Sequence, residues 1–310
     1  MKIGFVGLGI MGKPMSKNLL KAGYELVISS SKPETNREMR EHGAEVVDAY
    51  IDLAAKAEVI ITMLPNSPEV KEVILGGGGL IHGSKPGSVI VDMSSIAPIV
   101  SQEIGEALKK KDIGFLDAPV SGGEPKAIDG TVSVMAGGDE EIFEKCLPVM
   151  EAMARSVVRT GEVGSGNSTK LANQIIVALN IAAVSEALVL TEKMGVDNEL
   201  VYNAIRGGLA GSNVLDAKAP MMLERNFDPG FKIDLHLKDL NNVMETSGDM
   251  DVPLPLTASV RETLKALKVD GNGEDDHAAI VKYYEKLANL NDSSQGVRDN
   301  QDSMVLHREQ

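Results

Sequence analysis

The stretch KIGFVGLGIMGKP, residues 2–14, joins a short apolar run to a segment of helical character. Three of its glycines, Gly7, Gly9 and Gly12, have the spacing G-x-G-x-x-G, and Pro14 stands where the first turn of a helix tolerates proline. Glycine at such a junction lets the chain turn tightly and lets backbone N–H groups approach a pyrophosphate at the positive end of the helix. A simple tight turn can carry the same glycines, so the surrounding pattern decides between the two interpretations.

Short β-type runs recur through the first half of the chain, and helical segments separate most of them. The runs read KIGFVGL, ELVIS, EVIITML, SVIVDMS, GFLDAPV and TVSVMAGG, and the helical segments include residues 11–22, 98–110 and 139–153. This alternation predicts a parallel sheet with helices on both faces, an α/β Rossmann-type doubly wound sheet. At its first strand–helix junction the glycine motif predicts a dinucleotide site with the contacts Gly7, Gly9, Ile10, Met11 and Gly12.

The pattern changes at residues 161–166, where three glycines in six residues interrupt it. Helices are predicted beyond this point at roughly 168–194, 197–206, 212–223, 231–247, 255–268 and 276–289. We therefore predict a dinucleotide-binding domain over residues 1–163 and an all-α C-terminal domain over residues 164–290. Residues 291–310 are polar and lack periodicity, which predicts a disordered tail.

Composition limits the classes of function. The 310 residues suffice for two domains, and the net charge of −14 argues against nucleic-acid partners and against binding to anionic membranes. A small anionic substrate would need a local cluster of basic groups and backbone amides. The one cysteine, Cys146, excludes an intrachain disulfide, and no Cys and His cluster has the spacing of a metal site. The start of the chain is too rich in glycine for a signal peptide, so a cytoplasmic protein without a metal is expected.

An uncharged run of 15 residues, 171–185, follows Lys170. It is shorter than the roughly 20 residues that span a bilayer. Apolar residues occur on all its sides, which predicts a helix covered by other helices or by a partner subunit.

Two further loops follow predicted strands, MLPNSPEV and DMSSIAP. Parallel strands of one sheet end at a common edge, which makes Leu64, Pro65 and Ser95 predicted contacts to the cofactor. The alternative is that the polar residues of these loops, including Ser95, only cap the helices that follow.

A third loop, DAPVSGGEPKAIDGT, combines a hydroxyl group with consecutive glycines at Ser121, Gly122 and Gly123. Backbone amides without side-chain bulk can form a small nest for an anion such as a carboxylate. A glycine-rich turn without a ligand would have the same sequence.

Lys170 lies in GSGNSTKLANQ, just beyond the glycine-rich boundary, and is predicted to stand in the first turn of a helix with Asn173 one turn further. The helix N-terminus and partial burial both favour the neutral amine over the ammonium ion, which suits a general acid and base. The alternative is a lysine that extends its charged end to solvent from the helix terminus.

These motifs resemble those of the β-hydroxyacid dehydrogenases over residues 1–290. The matching segments are GFVGLGIMGKPMSKNLLKAGY, DAPVSGGEPKAIDGT, GSGNSTKLANQ and FKIDLHLKDL. The resemblance implies that Lys170 is the catalytic lysine and that Ser121, Gly122, Gly123 and Asn173 hold the substrate carboxylate. It also implies that Lys238 reaches the nicotinamide side and that the helical domains form a homodimer or homotetramer.

The resemblance also implies a reversible reaction, in which a reduced nicotinamide cofactor transfers a hydride to the aldehyde carbon of a short 3-oxo acid while Lys170 protonates the oxygen. His236 is a weaker candidate for the proton donor and can equally serve only in packing. A non-catalytic dinucleotide-binding module is a further alternative, which the presence of Lys170 disfavours.

The end of the second strand distinguishes between NAD and NADP. An NAD site usually has an acidic residue there, which binds the ribose 2′-hydroxyl, but ELVISSSKPE places Ser30, Ser31 and Lys32 at this position and Arg37 beyond them. Hydroxyl groups and a cation suit a 2′-phosphate, so NADP is the predicted cofactor. NAD is the alternative, with Ser30 binding the ribose alone.

Overall fold

The computed structural model describes residues 1–290, and these residues divide into two compact units. Unit 1 comprises Met1–Ile175 and Asp239–Pro253, and unit 2 comprises Ile176–Lys238 and the described residues from Leu254 onward. The division falls inside two helices rather than at a glycine-rich linker. The disordered tail predicted for residues 291–310 lies outside the described residues.

Unit 1 contains a nine-stranded sheet with the order β3-β2-β1-β4-β5-β6-β8-β7, and β9 pairs with β8. The strands are β1 Lys2–Val6, β2 Glu25–Ser29, β3 Glu45–Val46, β4 Val59–Thr62, β5 Val89–Asp92, β6 Gly114–Asp117, β7 Val120–Ser121, β8 Val132–Gly138 and β9 Ala154–Gly161. The first six strands of the order are parallel, whereas β8 is antiparallel to both β6 and β7. The predicted doubly wound sheet is confirmed, with an antiparallel addition at one side.

All six predicted β runs form strands, and three further strands were not predicted. Two of these, β3 and β7, have only two residues each. The third, β9, has eight residues, but most of its side chains are at least partly exposed, so it lacks the apolar run of a central strand.

Helices cover both faces of this sheet. They are α1 Gly12–Lys21, α2 Pro33–Glu41, α3 Tyr50–Lys56, α4 Ser67–Leu75, α5 Pro98–Lys109, α6 Gly123–Asp129, α7 Glu140–Glu151 and the first part of α8 Ser165–Lys193. Side chains alternate along each strand, so Ile3 and Phe5 of β1 join one core with α1 and α7, while Val6 joins the other with α3, α4 and α5. Because both faces of the sheet are buried, its central strands are almost continuous runs of apolar residues.

Unit 2 is helical, as predicted for this part of the chain. It contains the rest of α8, α9 Asn198–Ile205, α10 Asn213–Leu223, the first part of α11 Ile233–Asp249, α12 Pro255–Val269 and α13 Val281–Leu287. The buried carboxylate of Asp276 joins α10 to the residues before α11, because it accepts hydrogen bonds from Lys218 Nζ at 2.8 Å and from the backbone N–H groups of Gly230 and Phe231 at 3.0 Å.

The helix α8 is unusually long and apolar. Within residues 1–290 it is the one helix whose length and composition would allow it to cross a membrane, a test that core helices of soluble proteins also pass. In its most apolar 18-residue window, 39% is buried inside the protein, and Ile176 and Leu190 are each about 60% exposed.

Candidate active site

Five parallel strands of unit 1 end in register. The last residues of β2, β1, β4, β5 and β6 are partners in that order, namely Ser29, Val6, Thr62, Asp92 and Asp117. The loops with the predicted contacts follow these residues, so they leave the sheet at a single edge. Ligands of doubly wound sheets bind outside this carboxyl edge.

The three fingerprint glycines each meet a different steric requirement. Gly7 has φ +95°, and a Cβ there would lie 2.2 Å from the carbonyl oxygen of Met63. A Cβ on Gly12 would lie 1.9 Å from the carbonyl oxygen of Gly7, which keeps α1 close to β1. Gly9 faces open space, with no atom within 4 Å of an added Cβ.

This geometry fits a dinucleotide. The glycine fingerprint requires a tight turn at the first glycine, room for a pyrophosphate at the second and close helix packing at the third. The first turn of α1 has no acidic side chain and no side-chain cap, so its positive end suits a phosphate. Ile10 is exposed and Met11 is half-buried beside it.

The end of β2 has the predicted serines and lysine. Ser30 is half-buried, its Oγ accepts a hydrogen bond from Lys32 N at 3.2 Å, and its carbonyl oxygen accepts one from Asn36 Nδ2 at 2.9 Å. Ser31 and Lys32 are exposed. The backbone of this turn is therefore held by α2, while the side chains of Ser31 and Lys32 face solvent.

An open cavity of about 560 Å³ lies beside this turn, and its lining includes Gly9, Ile10, Lys13, Lys17 and Lys32. Lys17 and Lys13 bind Glu38 at 2.6 and 3.0 Å and lower the pKa of that carboxyl group to about 2. Glu38 thereby compensates part of the positive charge of the cavity.

The loops after β4 and β5 are joined by hydrogen bonds. Thr62 Oγ1 and Ser94 Oγ donate to the same oxygen of Asp92 at 2.7 and 2.6 Å, and Leu64 N donates to Ser94 Oγ at 2.8 Å. Pro65 is exposed. The loop after β5 thereby holds the backbone of Leu64, a predicted cofactor contact, in place.

The N-cap residues of the two helices that follow these loops do not cap them through their side chains. Both α4 and α5 belong to the described part of the chain, and neither has a side-chain hydrogen bond at its N-cap. Ser67 Oγ instead accepts from Ala97 N of the other loop at 3.1 Å, and Ser95 is half-buried before the start of α5. Ser67 therefore joins the two loops rather than capping its own helix.

The predicted substrate loop has the backbone that a nest requires. Ser121 ends β7 and pairs with Ser133, and both following glycines have positive φ, +145° at Gly122 and +69° at Gly123. Residues with side chains rarely adopt these angles. The loop therefore needs glycine for its conformation, and α6 begins at Gly123.

Lys170 is buried on α8, with 6% of its surface exposed. The helix begins at Ser165, so Lys170 lies in the second turn, and the prediction that it lies in the first turn was wrong. The helix starts earlier because the carboxylate of Asp117 accepts hydrogen bonds from Gly164 N and Asn167 N, both at 2.7 Å. The macrodipole acts mainly within the first turn, so its effect on the Lys170 ammonium group is smaller than a position in that turn would give.

One turn beyond Lys170, a hydrogen-bonded chain links α8 to the part of α11 in unit 1. Asn173 is half-buried, and its Nδ2 donates to Gln174 Oε1 at 2.8 Å. Gln174 Nε2 donates to Asp239 Oδ2 at 2.6 Å. Lys238 precedes Asp239 in α11 and belongs to unit 2, so its contact with the nicotinamide remains a prediction.

His236 takes part in a buried histidine pair of unit 2. Its Nδ1 lies 2.8 Å from Nδ1 of His277, and Phe231 packs edge-on against both rings. A hydrogen bond between two Nδ1 atoms requires one protonated and one unprotonated nitrogen. These contacts support the packing role for His236.

Sequence reasoning missed Asp117 and Asn167. Asn167 Oδ1 accepts from Ile96 N at 3.0 Å, and its Nδ2 donates to Ser101 Oγ at 3.0 Å, so it fixes the loop that contains Ser95. The signal for Asp117 was an acidic residue that ends an otherwise apolar strand. Its partners lie 47 and 50 residues away, which no local pattern shows.

Comparisons with known proteins extend over both halves of the chain. Residues 2–161 match the family described as the NAD binding domain of 6-phosphogluconate dehydrogenase. Residues 164–284 match the family described as NAD-binding of NADP-dependent 3-hydroxyisobutyrate dehydrogenase.

Individual relatives align over nearly the whole chain. The 2-hydroxy-3-oxopropionate reductase of Escherichia coli (strain K12) is 42% identical over 93% of this chain and 99% of its own. The mitochondrial 3-hydroxyisobutyrate dehydrogenase of Mus musculus is 33% identical over 91% of this chain and 86% of its own. A solved 3-hydroxyisobutyrate dehydrogenase of Mycobacterium tuberculosis with L-serine has a TM-score of 0.84 at 29% identity, and covers 91% of this chain and 98% of its own.

Proposed function

Because the chain belongs to the β-hydroxyacid dehydrogenases, and is therefore an oxidoreductase that binds a nicotinamide dinucleotide, we propose that it reduces 2-hydroxy-3-oxopropanoate, or tartronate semialdehyde, to glycerate. The observation that carries the proposal is the buried Lys170 on α8, a helix whose start is bonded to the carboxyl edge of the dinucleotide-binding sheet. The 42% identity with a reductase of this name supports the choice of substrate.

The reaction requires a hydride and a proton. A reduced nicotinamide cofactor bound at the glycine motif would supply the hydride for the aldehyde carbon. As the electron pair of the carbonyl bond moves onto oxygen, the Lys170 ammonium group donates a hydrogen bond to that oxygen and then transfers its proton, which completes the alcohol. In the reverse direction, neutral Lys170 accepts the hydroxyl proton.

Orientation of the substrate depends on its carboxylate. We assign this group to Ser121 and to the amides of Gly122 and Gly123, with Asn173 as a further donor. A carboxylate held by backbone amides leaves the aldehyde at the other end of a three-carbon substrate free to meet Lys170. Asn173 suits this role because its amide is half-buried and lies on the next turn of the same helix.

Two other semialdehydes suit the same residues. They are the oxidation product of 3-hydroxyisobutyrate and succinic semialdehyde. Relatives named for 3-hydroxyisobutyrate are 33% identical to this chain, which supports the first of these. Initial rates of reduction for the three semialdehydes test the choice. We expect the highest kcat/KM with 2-hydroxy-3-oxopropanoate, and a higher value for either other substrate would reassign the function within the family.

NADPH is the proposed donor, because Ser30, Ser31 and Lys32 offer hydroxyl groups and a cation where an NAD site has a carboxylate. Ser30→Asp is expected to shift preference towards NADH by roughly tenfold or more, since a carboxylate binds the ribose diol and repels the 2′-phosphate. The measurement is the ratio of kcat/KM for NADPH and NADH in parent and variant.

A matched control for this variant is Ser84→Asp, which adds the same charge before β5, at the amino edge of the sheet. It should leave the cofactor ratio unchanged. A parent enzyme that strongly prefers NADH would refute the assignment of the serines.

Assembly into a homodimer or homotetramer through the helical unit is also proposed. The exposed apolar side chains Ile176, Leu190 and Leu200 support it, since each is at least 60% exposed on α8 or α9. Light scattering on the purified protein measures the mass, and a mass of one chain would refute it.

A further inference from the structure

Asp117 is a fully buried carboxylate at the end of β6, and both its oxygens accept backbone hydrogen bonds from the start of α8. Gly164 N lies 2.7 Å from Oδ1 and Asn167 N lies 2.7 Å from Oδ2. These N–H groups belong to the residue before the helix and to its third residue, which have no partner further back in the helix. Asp117 thus performs from a distant strand what a capping side chain does locally.

The contact between β6 and α8 is too close for added side chains. A Cβ on Gly166 would lie 2.2 Å from the carbonyl oxygen of Asp117, and a Cβ on Gly137 would lie 2.4 Å from its Oδ1. Glycine at both places lets the first turn of α8 pack directly on the end of the strand. The position of this turn is therefore determined by the backbone as well as by the carboxylate.

Lys170 follows Asn167 by three residues, so both lie on one side of a rigid helix, about one turn apart. The side chain of Asn167 binds Ile96 N, in the loop of the predicted cofactor contact Ser95. Asp117 itself begins the loop that leads to Ser121. One carboxylate thus stands where the lysine helix, the substrate loop and a cofactor loop meet.

We propose that Asp117 is a positioning residue for the reaction: by holding the first turn of α8 against the end of β6, it sets the place of the Lys170 amine relative to the substrate loop. The inference rests on the proposed role of Lys170. Asp117 itself exchanges no proton with the substrate.

The expected effect follows from the demands of proton transfer. A misplacement of about 1 Å can cost roughly 10²-fold in rate even when the change lies away from the reacting atoms. In Asp117→Asn the side chain keeps its shape but offers one acceptor oxygen instead of two, so one N–H group loses its partner. We expect kcat to fall by roughly tenfold to 10²-fold, with the cofactor dissociation constant within about twofold of the parent.

Asp139→Ala is the matched control. Asp139 also accepts hydrogen bonds from two backbone N–H groups at a helix start, those of Glu141 and Ile142 of α7, but no predicted site residue follows on that helix. It should lose thermal stability and retain the parent kcat. A loss of kcat in Asp117→Asn no larger than in Asp139→Ala would overturn the proposal.

A second readout is the pH dependence of the parent protein, compared with that of Asp117→Asn. Burial raises the pKa of Asp117 to about 7, and the neighbouring Asp92 adds to the rise, so the group titrates in an accessible range. Protonation turns one acceptor oxygen into a hydroxyl group and weakens one of the two bonds to α8. The amide NMR signals of Gly164 and Asn167 should therefore shift with a common midpoint, and kcat should fall below the same pH.

The outcomes separate this inference from the proposed function. Matching midpoints, together with loss of the acid limb of the kcat profile in Asp117→Asn, support positioning. If the amide signals titrate while kcat shows no limb within one pH unit of their midpoint, Asp117 is only structural. An active parent whose Lys170 variants also remain active would instead refute the role of the lysine.

Discussion

Lys170→Met is expected to lower kcat by roughly 10²-fold or more, the usual scale for loss of a general acid. Methionine has a similar length and fills the buried site, but it cannot donate a hydrogen bond or a proton to the developing alkoxide. Folding and cofactor binding should be nearly unchanged, because the fingerprint lies on β1 and α1. Steady-state rates and calorimetric titration with NADPH measure both properties.

Lys193→Met is the control on the same helix. Lys193 ends α8, is exposed and donates a hydrogen bond to the carbonyl oxygen of Ala288 at 2.8 Å. Its replacement removes one lysine from α8 at a distance from the proposed site and should leave kcat as in the parent. Equal kcat in Lys170→Met and the parent would disprove the catalytic assignment.

Gly123→Val is expected to weaken substrate binding, with a rise in KM of roughly 10²-fold, the scale of losing one or two charge-assisted hydrogen bonds. The backbone at this position has φ +69°, which a β-branched residue resists, and the added methyl groups enter the proposed nest. The NADPH dissociation constant should stay near the parent value, since α1 is not altered.

Gly130→Val separates backbone strain from loss of the nest. Gly130 has nearly the same angle, φ +68°, at the opposite end of α6. It should destabilise the protein to a similar degree, measured by thermal unfolding, and keep the parent KM. Similar increases in KM for both variants would show that strain in α6, rather than the nest, explains the effect.

Much of unit 1 was predictable because its signals are local. The buried strands β1, β2, β4, β5 and β6 are short apolar runs, and alternating burial in two cores explains why these runs are apolar on both faces. The dinucleotide fingerprint was likewise predictable, since each glycine is required by sterics within the turn or against its immediate neighbours. The strands that were missed, β3, β7 and β9, are short or largely exposed, so burial left no pattern in their sequences.

The residues proposed for the site can be chosen from the sequence, whereas the contacts that hold them in place cannot. Ser121, the two glycines and Lys170 stand out as polar or small residues in apolar surroundings. The start of α8 was placed at residue 168 instead of Ser165, because its stabilising carboxylate is not in the neighbouring sequence. The same cause hid the bond between Asn167 and the loop at Ile96.

The sequence by itself determined the alternation of strands and helices, the dinucleotide fingerprint and the helical character of residues beyond 164, because hydrophobic period and glycine geometry act over a few neighbouring residues. The tertiary structure alone decided that β8 runs antiparallel to β6, that five strands end in register, and that Asp117 holds the helix with Lys170. Strand direction and the pairing of a carboxylate with amides 47 and 50 residues away depend on the path of the whole chain. A buried polar group must find a hydrogen-bond partner wherever folding places one, and its own sequence neighbourhood does not say where that will be.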